Sequence, residues 1–492
     1  MISFFVSLIL LIVGYFLYSK RIELIFGIDD RETPAIAIHD GVDNIPLPKW
    51  KAFLIELLNI AGTGPIFGAI GGALFGPIVF IWIVVGCIFG GAVHDYMTGM
   101  ISSRHGGHSI PSISKIYLGK EFSVILRIFS VILLILVTAV FVVSPSSLLE
   151  TLTNGHIKAI IWMAIILVYY FVATILPVDK VIGKAYPIFG IILILMALFT
   201  IFGIIFNQGT YPMLELTNNL RDISQQNGDL PWWPFMLMTV ACGAISGFHA
   251  TQSPMMARCI KSEKDGRFVF YFAMIAEGII ALIWAAAAMA FYHVDTAEGF
   301  QNLAHIGGNS TSVYEICHTL LGPVGTILAI VGVVICPITS GDTALRSTRL
   351  IIGEAINLDQ KKIKNRIILT IPLFVMVILL SIWNFLDSTN FNILWHWFAW
   401  SNQTLAAIAL WFVSNYIYKK TKKKIRVLYT LIPAYIMTIA VATYIFLEPN
   451  IALGRFIPRT LGVILGIVIG TINLILFILM LKRKEKKNES IN

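Results

Sequence analysis

Runs of mostly apolar residues recur along the whole chain, each near the ~20 residues that span the ~30 Å hydrocarbon core of a bilayer. In that solvent every backbone N–H and C=O needs a partner inside the chain, so such runs fold as helices. Composition points the same way. Of 492 residues 57% are hydrophobic and 13% charged, with a mean hydropathy of +0.82, whereas a soluble protein carries about a quarter charged residues. The chain is therefore expected to be an all-α polytopic membrane protein. Its longest polar connections, roughly 19–49, 207–231, 293–320 and 344–365, leave no room for a separate soluble domain. The first run, Ile2 to Tyr18, has no basic stretch before it and no small-residue cleavage site after it, which predicts a retained helix and not a signal peptide.

The runs number thirteen: 2–18, 53–75, 78–102, 123–143, 157–177, 186–206, 233–257, 268–292, 322–343, 367–384, 392–416, 427–446 and 459–481, here spans 1 to 13. A net charge of +9 raises the question of nucleic acid, and its distribution answers it. With the edge residues Arg127, Lys158 and Arg459 counted in the connection beside them, connections after odd-numbered spans, with the tail, hold 32 Lys and Arg; those after even-numbered spans hold only Lys158, Arg221, Arg455 and Arg459. That is an orientation signal: odd connections and the C-terminus cytoplasmic, the N-terminus outside. No nucleic acid is expected, and anionic lipid is the expected contact of the basic surface.

Two spans carry weak points where a break is expensive. Span 2 reads "IAGTGPIFGAIGG", with Gly62, Thr63, Gly64 and Pro65; span 7 reads "ACGAISGFHATQSP", with Gly243, Ser246, Gly247, His249, Thr251, Gln252 and Pro254. At 1.5 Å per residue the first break falls ~14–18 Å from the inner start of its span, and the second ~15–21 Å from the outer start of its own. Both lie near the midplane, in spans of opposite direction. Spans 2–6 and 7–11 make two groups of five. Interrupted spans in matching positions of inverted halves are the best sequence pointer to a secondary transporter's binding site. Irregular backbone at that depth is tolerated only where it is buried in protein or lines a wet cavity. The competing reading is plain helix packing, since Gly64-x-x-x-Gly68 and Gly68-x-x-x-Gly72 fit a small-residue stripe.

Ionisable groups inside spans are functional candidates by default. Span 3 holds His94 and Asp95; the end of span 9 holds Thr339, Ser340, Asp342, Thr343 and then Arg346. Thr339, Asp342 and Thr343 share one helical face, an oxygen-rich set suited to a sodium ion or to a carboxylate that takes up a proton. The ordinary alternatives are an Asp342–Arg346 pair at i, i+4 and pairing of His94–Asp95 with Arg104. His249 and Gln252 lie just past the second break. Asn402 and Gln403 in span 11 serve equally as substrate ligands or as hydrogen-bonding glue between helices. His105 and His108, around two glycines, are weak metal ligands, and the five cysteines (87, 242, 259, 317, 336) show no CxxC spacing. No metal and no cofactor are expected.

Several blocks together resemble the carbon starvation protein A (CstA) family of bacterial inner-membrane transporters. They are "DDRETPAIAIHDGVDNIP" with "KW" (29–50), "IAGTGPIFGAIGGALFG" (60–76), "IWIVVGCIFGGAVHDYMTGMISSRHGGHSIP" (81–111), "FHATQSPMMARCI" (248–260), "ICPITSGDTALRSTRLIIGE" (335–354) and "WFAWSNQTLAAIAL" (397–410). The resemblance implies uptake of peptides or pyruvate during carbon limitation, with proton symport for pyruvate, in the bacterial inner membrane. It also implies kinship with the amino acid–polyamine–organocation transporters and their 5+5 inverted-repeat, LeuT-like core. It carries over no established ligand residues.

The expected protein is thus a secondary active transporter, not an enzyme. Residues 1–48 form a leading helix and loop, 49–206 and 233–417 the two repeats, and 427–492 two trailing helices with a basic tail. The expected substrate site comprises Gly62, Thr63, Gly64, Ser246, Gly247, His249, Gln252, Asn402 and Gln403. Coupling to a proton or sodium ion is expected at Asp342 with Thr339, Ser340 and Thr343, and next at His94–Asp95. A sodium-coupled amino-acid symporter is the alternative. A metabolite sensor lacks an output domain, and an intramembrane enzyme lacks a nucleophile or metal constellation.

Overall fold

The computed structural model describes residues 1–176, 178–217, 231–387, 389–451, 454 and 456–489. Among these the chain is helical, apart from turns and one isolated bridge between Leu47 and Ile260. Each of the thirteen expected runs contains helix, and among the described residues nine helices are long and apolar enough to cross a membrane, or ten if the bent pair Lys49–Ala61 and Gly64–Phe75 counts as one span. The other three depart for visible reasons. Ala159–Ile175 (span 5) has only 17 residues. Span 7 is split into Trp232–Thr239 and His249–Ala257. Asn390–Thr421 (span 11) has 32 residues, but its first half carries His396, Ser401, Asn402 and Gln403 among its tryptophans.

Large apolar side chains such as Leu17, Val168, Phe206 and Leu386 stand exposed around the bundle, where a soluble protein would bury them and lipid would cover them. Span 9, Ser310–Ala355, packs along span 4, Lys120–Leu152, in the middle of the fold. Span 1, Ile2–Phe26, lies against spans 3 and 8. Span 12, Lys424–Leu447, packs on span 11, and span 13, Arg459–Glu489, packs on span 12. The two trailing helices are thus peripheral.

Polar contacts sort the connections by end. At one end Arg104 grips Glu263 with two bonds of 2.7 Å, Arg258 meets Glu354 at 2.8 Å, Arg366 donates to the Ile175 carbonyl at 2.6 Å and Lys419 reaches the Tyr117 carbonyl. These join the segments after spans 3, 5, 7, 9 and 11. The connection after span 1 joins them through Asp43, 3.3 Å from Arg346 and 3.6 Å from Arg349. At the opposite end the N-terminal amine bonds Glu215, Asn207 reaches the Leu320 carbonyl and His396 stands 3.6 Å from Glu448. The parity read from the charges therefore matches the packing. Burial alone would push the Asp43 carboxyl up; the guanidiniums of Arg349, Arg346 and Arg258 outweigh it and hold the group below the usual carboxylate range. Its clamp on the loop is therefore in place above about pH 4 and is lost only as acidification reaches the lowered value.

Candidate functional site

The first break begins where helix Lys49–Ala61 meets Gly62, whose φ of 53° and ψ of −143° leave the helix. The chain resumes as a π-turn, Gly64–Gly68, bent by 59° from the first segment. In a continuous helix the Gly62 N–H would bond the Leu58 carbonyl. Instead a hydroxyl from span 9 is inserted between them: Ser340 Oγ donates to Leu58 O at 2.6 Å and accepts from Gly62 N–H at 3.0 Å. Ser340, expected as part of an ion site, here splices the broken ladder.

The second break runs from Val240 to Phe248, and span 11 braces it. Gln403 Nε2 donates to the Ile245 carbonyl at 2.7 Å. Asn402 Oδ1 accepts the Phe248 N–H at 2.7 Å, and Ser246 Oγ lies 3.0 to 3.1 Å from both amide atoms of Asn402. A Cβ on Gly247 would stand 2.2 Å from the Asn402 carbonyl oxygen, so only glycine lets the loop approach this closely. Of the two roles open to Asn402 and Gln403, glue between helices is the one the geometry displays.

The breaks touch. A Cβ on Gly64 would lie 2.2 Å from Cys242 Sγ, one on Gly68 2.5 Å from the Thr239 carbonyl oxygen, and one on Gly72 2.3 Å from Val240 Cγ2. The stripe Gly64–Gly68–Gly72 is thus a packing surface for span 7, while Gly62 alone supplies the left-handed turn. The glycine-rich block thus contains both a break in the helix and a packing stripe, at different residues. Buried polar atoms without a partner remain beside the junction: Thr63 Oγ1, Gln403 Oε1, Gln252 Oε1 and both amide atoms of Asn59. Asn59 is absent from the sequence-based set, although a lone amide one turn before a break in an apolar run is a legible signal.

At the acidic candidates the structure corrects the expected pairs. Asp342 accepts from the Tyr186 hydroxyl at 2.5 Å. Its i+4 neighbour Arg346 turns away to Asp43 and to the carbonyls of Ala173 and Leu176, because a carboxylate and two helix-end acceptors outcompete a partner on its own helix. Thr339 and Thr343 donate to carbonyls of their own helix, so their hydroxyl hydrogens do not reach Asp342. Arg104 does not approach His94–Asp95, since Glu263 and Asp29 hold it. Asp95 instead receives His94 Nδ1 and His249 Nδ1, each at 2.7 Å. His249 thus belongs with Asp95, one group across two spans. His105 and His108 take separate partners, Tyr117 and Glu354.

A cavity of about 350 Å³, lined by Phe67, Ser144, Ser147, Asn309, Asn384 and Phe391 among others, opens at the end opposite the basic connections. A larger one of about 780 Å³, whose lining includes Asp40, His108, Arg127, Arg258 and Glu354, lies at the basic end.

Two discontinuous helices meeting inside an all-helical bundle define the broken-helix class of secondary-transporter folds. Solved structures agree on the fold: a manganese transporter of Eremococcus coleocola (TM-score 0.60, 12% identity, 90% of this chain and 99% of that one) and MhsT bound to L-phenylalanine (TM-score 0.54, 14% identity, 80% and 97%). The chain belongs to the carbon starvation protein CstA family, whose model matches residues 1–165, 147–320 and 293–444. It is 25% identical to a peptide transporter CstA of Bacillus subtilis, over 95% of this chain and 94% of that one. Similarity to the pyruvate/proton symporter BtsT of Escherichia coli is 26% identity over 56% of this chain and 47% of the relative. An uncharacterized membrane protein of Haemophilus influenzae is 44% identical over 59% of this chain and 91% of its own length.

Proposed function

We propose that the protein is a secondary active transporter that imports a small carboxylated nutrient, a peptide or pyruvate, by cation symport across the bacterial inner membrane. The observation that carries this reading is the contact between two oppositely directed broken helices, beside which Thr63, Asn59, Gln252 and Gln403 hold buried polar atoms with no partner. The half-helix N-terminal ends at the junction carry partial positive charge and suit a substrate carboxylate, so no deep basic side chain is needed. The names of the relatives in Bacillus subtilis and Escherichia coli point to the same substrates. The basic end faces the cytoplasm and contacts anionic lipid.

Uptake of labelled pyruvate, alanine and dipeptides into proteoliposomes, under imposed proton and then sodium gradients, tests this reading. Accumulation of none of them refutes it. Asp342, buried and bonded to Tyr186, is the first coupling group. Asp342→Asn is expected to remove accumulation against a gradient while exchange continues; unimpaired accumulation excludes it. A cysteine at Ser490, which lies outside the described residues, should react with an impermeant thiol reagent only from the cytoplasm. Labelling from outside reverses the orientation.

A further inference from the structure

Five titratable side chains from four spans meet with no exposure at all, beside the second break: Glu56, His94, Asp95, His249 and Glu277. Glu56 and Glu277 are missing from the sequence-based set, although each is a lone acid in an apolar run. Asp95 holds both imidazoles through their Nδ1 atoms at 2.7 Å. An ionised carboxylate only accepts, so with Asp95 charged both Nδ1 atoms carry hydrogen and both Nε2 atoms are left to gain or lose a proton. His249 Nε2 stands 3.4 Å from Glu277 Oε2. Neither Glu277 oxygen, nor His249 Nε2, nor His94 Nε2, nor Glu56 Oε2 has a hydrogen-bond partner. Glu56 Oε1 accepts from Ser253 Oγ at 2.9 Å, on the half-helix that His249 begins.

Charge accounting shows what this group is built for. Three carboxylates share the cluster with two imidazoles, His94 and His249, and the thiols of Cys87, Cys242 and Cys336 are the further titratable groups that sense them. Among the described residues no lysine or arginine forms a salt bridge with Glu56 or Glu277, whose partners are Ser253 and His249. Three negative charges cannot coexist in so dry a place, so protons must be shared within the cluster. A purely structural cluster would satisfy its atoms, because each buried orphan costs stability. The position also matters: Glu277 precedes Gly278, whose added Cβ would lie 3.5 Å from the Gly243 carbonyl of the break. Movement of the unwound segment therefore changes the spacing of His249 and Glu277.

We infer that His249, Asp95, Glu277 and Glu56 form a second proton-carrying site of the symport cycle, beyond Asp342. A proton arriving from one side binds His249 Nε2, passes to a Glu277 oxygen and leaves to the other side. Asp95 keeps its hydrogen bond to Nδ1 throughout, and no other bond is made or broken. This rests on the symport reading above, and its test separates the two.

With the membrane potential clamped at zero, one pH unit of gradient sustains about ten-fold accumulation per coupled proton. Glu277→Gln and Glu56→Gln are expected to lose that accumulation while equal-pH exchange falls no more than about two-fold, within what ~0.4 kcal/mol explains. Either variant accumulating like the wild type removes that residue from the site, and both doing so overturns the inference. Exchange falling as far as accumulation in both variants also overturns it, in favour of a structural brace. Infrared difference titration of the purified protein, with no substrate, should show a buried protonated-carboxyl band that is lost in Glu277→Gln. A band unchanged in that variant refutes the proton site even if uptake is normal. A band that is lost as expected, in a protein that takes up no carboxylate, refutes the substrate reading alone.

Discussion

Gly62→Leu yields a protein that inserts into the membrane and takes up nothing. The residue sits at a φ of 53° and its added Cβ would lie 2.3 Å from the ring of Phe141. The left-handed backbone alone costs about 1–2 kcal/mol for a residue with a side chain, and the clash adds to it. The cheapest relief is for residue 62 to rejoin the helix, bond Leu58 directly and expel the Ser340 hydroxyl. That straightens span 2 and destroys the junction with span 7. Gly64→Leu reaches the same end by another route, since its Cβ meets Cys242 Sγ at 2.2 Å and the two breaks are forced apart. Insertion persists because the apolar run, which directs it, keeps its length and becomes more apolar. Proteoliposome uptake, with membrane-fraction yield as the control, checks both variants. Normal uptake by either shows that the turn is dispensable.

Asn402→Ala has the next largest effect, and it separates a brace from a ligand. Its side chain holds the Phe248 N–H and the Ser246 hydroxyl. Truncation leaves that amide buried without an acceptor, at about 1–3 kcal/mol. The melting temperature of the purified protein should therefore fall in the absence of any substrate, along with uptake. Asn402→Asp, which keeps the acceptor and loses the donor, should recover part of both. A residue that only bound cargo would leave the substrate-free melting temperature unchanged, and that result would return Asn402 to the list of ligands.

Much of the architecture was legible because membrane depth is unforgiving. A run such as 123–143 has one available fold, and a break such as Gly62–Pro65 needs a reason to exist. The charge asymmetry of the connections anticipated which segments would meet: Arg104 with Glu263, Arg258 with Glu354, Asp43 with Arg346 and Arg349. Span 7 is split where its glycines foretold, whereas the shortness of span 5 was not foreseen. The pairings among the candidate residues were not legible. Asp342 with Arg346, and His94–Asp95 with Arg104, were sound local expectations, and each lost to a better partner from a distant segment.

The sequence by itself determined a helical bundle in lipid, the parity of its connections and the two weak points, because each follows from local hydrophobicity, charge or backbone freedom. Only the tertiary structure decided that Ser340 closes one break and Asn402 the other, and that His249 answers to Asp95 and Glu277. These contacts join different helices, most of them through residues more than a hundred positions apart, and periodicity along one helix says nothing of what a neighbouring helix presents to it.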